Sequence, residues 1–136
     1  MKLSIFLLVV FSITVLCVED KCVTKFKNQH IIETDTEKSC DDLIKEKKIK
    51  DNNKPKLRNT FIINAFEKVK DICKEEQRVY ENDNLYTSSE TMITLHDGHS
   101  KSPNCIYAGQ LYDRRIVVLK CNNKEPVDLD STIQIG

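Results

Sequence analysis

"EPVDLDSTI", residues 125–133, sets Val127 and Leu129 in alternation with Asp128 and Asp130. Side chains two residues apart share a face of an extended strand. The stretch therefore reads as a strand, with its two carboxylates pointing the same way. Segments before it have the same character. "RIVVLKC" (115–121), "CIYAGQLY" (105–112) and "TMITL" (91–95) are strand-length runs rich in β-branched and aromatic residues. Asp113, between two of these runs, marks a hairpin turn. "NTFIIN" (59–64) is a further strand. Helical spacing is confined to the earlier part. Cys22–His30 places Phe26 and His30 four apart on one face. "EKSCDDLIKEKK" (37–48) turns Cys40, Leu43 and Ile44 inward, with Ser39 or Thr36 as its N-cap. "AFEKVKDIC" (65–73) turns Phe66, Val69 and Ile72 inward. "IKDNNKPK" (49–56) is a polar loop broken by Pro55, and 74–90 is charged and irregular. Three short helices early and antiparallel strands late define an α+β domain.

The chain has 136 residues, room for one small domain. Lys2 and the apolar run Leu3–Leu16 make a basic start and an h-region too short to span a bilayer comfortably. Val15 and Cys17 suit the positions before a signal-peptidase cut. Residues 1–17 are therefore expected to be a signal peptide, and 18–136 a secreted domain with no membrane segment. Without Lys2, the 21 basic residues become 20, against 21 acidic ones. Proteins built to hold polyanions usually carry a clear basic excess, and this one does not.

Cysteines 22, 40, 73, 105 and 121 fall in the expected domain. Secreted chains use cysteines as disulfides. An odd number leaves one unpaired or bonded to another chain, which is a route to a disulfide-linked dimer. There is no C-x-x-C pair, so no structural zinc site is expected.

Five short motifs occur in order: "KFKNQH" (25–30) on the first helix, "KLRNTF" (56–61) entering a strand, "SPNCIY" (102–107), "IVVLKC" (116–121) and "PVDLDSTI" (126–133). With cysteines at 40, 73, 105 and 121, the set resembles the pancreatic ribonuclease (ribonuclease A) superfamily from Lys25 to Ile133. The segment after Cys73 lacks the small extra disulfide loop of the pancreatic enzymes, and is closer to the compact onconase-type members. The resemblance implies a ribonuclease A-like fold: three short helices on a curved antiparallel β-sheet. It also implies RNA cleavage by two-step phosphoryl transfer, with no cofactor and no metal. One histidine takes the proton from the ribose 2′-OH, a second protonates the leaving 5′-oxygen, and a lysine stabilises the charge that builds between them.

Residue by residue, the resemblance makes His30 the base, Lys56 the catalytic lysine and Gln29 a phosphate contact. Thr60 becomes the reader of a pyrimidine, and Asp130 the aspartate that orients the second histidine. Phe26 docks the first helix on the core. The second histidine is absent, and Asp128 stands in its place. A carboxylic acid with the ordinary aspartate pKa of about 3.9 has no proton to give at neutral pH. Loss of a general acid costs roughly 10²–10⁴ in rate. Cys73 and Cys121 match a pair that the family bridges. The usual partner of Cys40 falls near Thr94 or His96, and that of Cys105 falls at Pro55. Two bridges are each half missing, which leaves Cys22, Cys40 and Cys105 to pair anew or stay free, and loosens the loop that carries Lys56.

His96 and His99 in "LHDGHSKS" (95–102) read as a solvated hairpin loop rather than a metal site. Lys45, Lys47, Lys48, Lys50, Lys54 and Lys56 form a local basic cluster that could attract phosphate despite the neutral total. Three functions remain open. The chain is a secreted family member with little or no RNA cleavage that keeps a weak RNA or nucleotide-phosphate cleft. It is a residual pyrimidine-preferring endoribonuclease that works with His30 and Lys56. Or it is a non-catalytic extracellular protein acting through a protein partner, for example in host defence.

Overall fold

The computed structural model describes residues 19–33, 38–51, 53–56, 58–74, 77–80, 84–97, 107 and 109–135. The expected signal peptide, Cys105 and His99 lie outside these residues.

Helix α1 (Glu19–His30) buries Cys22, Phe26, Gln29 and His30. That spacing of four, three and one is a single helical stripe. Helix α2 (Cys40–Glu46) starts at Ser39, whose hydroxyl accepts from the Asp42 N–H at 3.2 Å. Asp41 and Asp42 in its first turn favour the positive end of the helix dipole. Helix α3 (Phe66–Lys70) runs on into a 3₁₀ turn at Asp71–Cys73.

Among the described residues there are nine strands: β1 (Ile31–Ile32), β2 (Lys50–Asp51), β3 (Lys54–Pro55), β4 (Thr60–Ile63), β5 (Arg78–Tyr80), β6 (Leu85–Thr87), β7 (Met92–Asp97), β8 (Gly109–Asn122) and β9 (Glu125–Gln134). The main sheet has the order β1-β4-β7-β8-β6-β5, with β9 also paired to β8. All its pairings are antiparallel except β1 with β4, which is parallel. Both faces of β4 are used. Ile62 packs with Phe26, Val69, Val117 and Leu119, while Phe61 packs with Cys40, Leu43, Ile44 and Tyr107. The apolar run of "NTFIIN" thus serves two cores, one on each side of the sheet.

Two sequence expectations change. There is no hairpin at Asp113, because β8 is one strand of 14 residues. Its first half pairs with β7, and its second half with β6 and β9. Asp113 and Arg114 are exposed strand positions, which is why they resemble a turn in sequence. The real hairpin turn is Asn123–Lys124, both at positive φ (51° and 64°), as a tight two-residue turn requires. Within 74–90, read as irregular, β5 and β6 extend the sheet.

Cys73 and Cys121 are bonded, as the resemblance implied, and tie the 3₁₀ turn to β8. Cys22 is also disulfide-bonded, which removes it as a thiol for linking a second chain. Cys40 is buried against β8: a Cβ on Gly109 would overlap its sulfur, so only glycine fits there. Among the described residues, no helix is long and apolar enough to cross a membrane.

Candidate functional site

The last turn of α1 delivers Gln29 and His30 to the mouth of β4. Both are buried, His30 to 5% exposure. The His30 Nδ1 lies 2.8 Å from the Thr60 backbone oxygen. A carbonyl can only accept, so Nδ1 carries the hydrogen. In the neutral ring, Nε2 then keeps its lone pair. Burial pushes His30 down to about 4 from its ordinary value near 6.5, and Lys56 and Lys25 add to the fall. The Thr60 carbonyl acts the other way. The imidazole is therefore neutral at physiological pH and presents an acceptor.

Lys56 comes from the loop between β3 and β4. Its Nζ donates to Asn59 Oδ1 at 2.9 Å and to Gln29 Oε1 at 3.3 Å. The Asn59 Nδ2 donates to the Gln29 backbone oxygen at 2.7 Å. Asn59 is thus a buried clamp between α1 and the lysine, and the sequence reading gave it no role. Burial lowers the Lys56 pKa and Asp128 pulls it back up. Lys25 lowers it and Asp51 raises it to smaller extents.

The loop carrying Lys56 has a second fastening. The Tyr107 hydroxyl donates to the Lys56 carbonyl at 2.5 Å, and the Tyr107 N–H donates to Asp41 Oδ1 at 3.2 Å. A buried tyrosine ties the loop to α2. The expectation of a loosened Lys56 loop overlooked this residue. The only sequence signal was an aromatic two positions after Cys105.

Asp128 and Asp130 are both exposed and border different cavities. In the β8–β9 register, Leu119 pairs with Leu129 but Val118 pairs with Ser131, so Asp130 is an extra residue. Lys120 pairs with Asp128 but Cys121 pairs with Pro126, so Val127 is another. These bulges flank the regular pairs Asp128–Lys120 and Leu129–Leu119 and locally bend the strand on either side of them. Asp128 borders a cleft of about 780 Å³ together with Lys25, Gln29, His30, Lys50, Lys56 and Lys120. It is exposed, and its Oδ1 accepts the Leu129 N–H at 2.9 Å. Asp130 borders a smaller cavity of about 460 Å³ with His30, Lys56, Thr60 and Leu129, and its Oδ2 accepts from the Ser131 hydroxyl. His30 and Lys56 belong to both cavities. The expected site residues therefore border two cavities that share His30 and Lys56.

The basic cluster divides. Lys50 and Lys56 face the larger cleft, Lys45 pairs with Asp41, and Lys47 and Lys48 line a separate groove beside α2. His96 sits in β7 opposite Thr60, not in a loop. Among the described residues, no three His, Cys, Asp or Glu side chains converge as a metal site.

Comparison with known proteins bears on the family and the fold. A family model described as pancreatic ribonuclease matches residues 21–130. A pancreatic ribonuclease of Mus pahari is 32% identical over 126 residues, spanning 85% of this chain and 83% of that protein. Angiogenin-1 of Bos taurus is 38% identical over 80 residues, and the match spans 57% of this chain and 53% of that one. The chain thus spans about half the length of the angiogenins it matches. Zebrafish RNase5 superposes with a TM-score of 0.68 at 28% identity, covering 82% of this chain and 94% of that one. RNase ZF-3E reaches a TM-score of 0.70 at 24% identity, covering 85% and 99%, a likeness of fold.

Proposed function

The chain belongs to the pancreatic ribonuclease family, and from that premise we propose that it is a secreted member that binds RNA or nucleotide phosphate between His30 and Lys56 and cleaves RNA little or not at all. The base side of the reaction is intact in chemistry. His30 offers a neutral Nε2 acceptor for the 2′-OH proton, and Lys56, held by Asn59 and Gln29, offers a cation for the phosphate. When the 2′-oxygen attacks phosphorus, the bond to the 5′-oxygen breaks and that oxygen needs a proton. The observation that carries the reading is Asp128. An exposed carboxylate accepting a backbone N–H is a hydrogen-bond acceptor where a donor is needed.

Binding is less affected than turnover. Four lysines border the larger cleft, against Asp51 and Asp128. The local excess of positive charge supports attraction of phosphate even though the whole chain is neutral. The preserved base and lysine also support a second reading, a slow pyrimidine-preferring endoribonuclease with water as the proton donor.

One assay separates the two. Purified protein and Asp128→His are compared on a pyrimidine–purine dinucleotide, following the 2′,3′-cyclic phosphate. The proposal expects Asp128→His to gain about 100-fold or more. A wild type that already cleaves as fast as the variant overturns it.

A further inference from the structure

The sheet face turned away from the Thr60 cavity carries an uncovered apolar patch. Ile93, Leu111, Ile133 and Ile135 are large apolar side chains with 43%, 63%, 51% and 40% exposure. Register brings them to one face. Tyr112 and Arg115, which line the cavity, pair with Thr94 and Met92 on β7, so Ile93 between those two points the other way. Leu111 pairs with Leu95 and precedes Tyr112, so it takes the same outer face. Thr132 lines the cavity, so Ile133 turns outward beside its partner Ile116 on β8. Ile135 follows two residues on, at the end of β9. The core beside α2 shelters this face at Phe61 and Leu95 but leaves the four side chains open.

Two charges stand in the middle of the patch. Two steps along β7, Met92 to Thr94, match three along β8, Tyr112 to Arg115. This bulge sets Asp113 and Arg114 together opposite Ile93. Both are exposed, and neither has an ion-pair partner among the described residues.

We propose that this face binds a second copy of the chain about a two-fold axis, with the isoleucines of the two copies in contact and Asp113 of each facing Arg114 of the other. Contiguous exposed apolar patches mark interaction sites. A two-fold contact uses the same patch on both partners, so the patch has to complement itself. An acid and a base side by side do so, since each meets the opposite charge across the axis. The chain's 21 basic and 21 acidic residues leave no net charge to drive two copies apart. A lipid surface would call for a basic rim, whereas this patch carries an acid beside its base. The Thr60 cavity lies on the other face, and the contact leaves it open.

Sedimentation velocity of the purified protein, from micromolar to millimolar concentration, should show the mass doubling as concentration rises. Asp113→Arg and Arg114→Asp each place like charges across the axis, and each should weaken dimerisation about tenfold or more. Mixed in equal amounts, these two variants should pair with each other about as tightly as the wild type pairs with itself. Every contact across the axis is then again between opposite charges. The double variant Asp113→Arg/Arg114→Asp should recover the wild-type affinity as well, which separates loss of charge pairing from loss of folding. A wild type that stays monomeric at millimolar concentration overturns the inference. So do single variants that dimerise like the wild type, or a mixture of the two that stays monomeric. Flotation of a monomeric wild type with phosphatidylcholine vesicles would assign the patch to a lipid surface and overturns it too.

Discussion

Replacing His30 with asparagine should flatten the acid limb of the protein's stability. His30 is 5% exposed and donates from Nδ1 to the Thr60 carbonyl. Its pKa falls to about 4 in the folded protein, from 6.5. Between those values the unfolded chain binds a proton that the folded chain refuses. Stability therefore rises with pH through that window, is fully present above about 6.5, and is lost as pH falls to about 4. At about 1.36 kcal/mol per pKa unit, the gap is worth about 3 kcal/mol. Asparagine keeps a donor near the Thr60 carbonyl and has nothing to titrate. Urea unfolding of wild type and His30→Asn from pH 4 to 8 isolates the histidine, because both proteins carry the same carboxylates. The wild type should lose about 3 kcal/mol more than the variant over that range. Parallel profiles would refute the claim that burial suppresses His30 protonation, and with it the argument that the ring is neutral by virtue of its site.

Two further outcomes follow from the same contacts. The Cys73–Cys121 bond closes a loop with a sequence separation of 48. On the chain-entropy relation, replacing both cysteines by alanine should cost about 4 kcal/mol, read from denaturant midpoints. Asn59→Ala removes the clamp between the Gln29 carbonyl and the Lys56 ammonium. It should cost about 1–3 kcal/mol in stability and weaken uridine 3′-phosphate binding in calorimetry. Unchanged nucleotide affinity would mean that Lys56 does not need Asn59 to be placed.

Much of the fold was legible because its signals are local. Ser39 caps α2 as its position suggested, and Phe26 with His30 marks the stripe that buries α1. The misreadings came from pairing, which a strand does not encode alone. Asp113 and Arg114 look like a turn, yet β8 passes through them because β7 covers one half of that strand while β6 and β9 take the other. The same limit applied at the site. Alternation made Asp128 and Asp130 exposed strand positions, as they are, but it could not show the irregularities at Val127 and Asp130 that flank Asp128–Leu129. Asn59 and Tyr107 went unnoticed because their roles depend on partners about 30 and 51 residues away. No spacing rule connects residues at that distance.

The surroundings of the two aspartates bear on the proposed reading. Asp128 stands opposite Lys120 in the register, within a cleft that also holds Lys25, Lys50 and Lys56. Asp130 shares its cavity with Arg58 and Arg115. Each carboxylate is met by more cations than it can offset. Phosphate binding needs only that excess of positive charge, whereas turnover needs a proton delivered to one particular oxygen. On the reading proposed above, an aspartate at 128 removes the second without removing the first, and His30, Lys56 and Asn59 serve as a recognition surface.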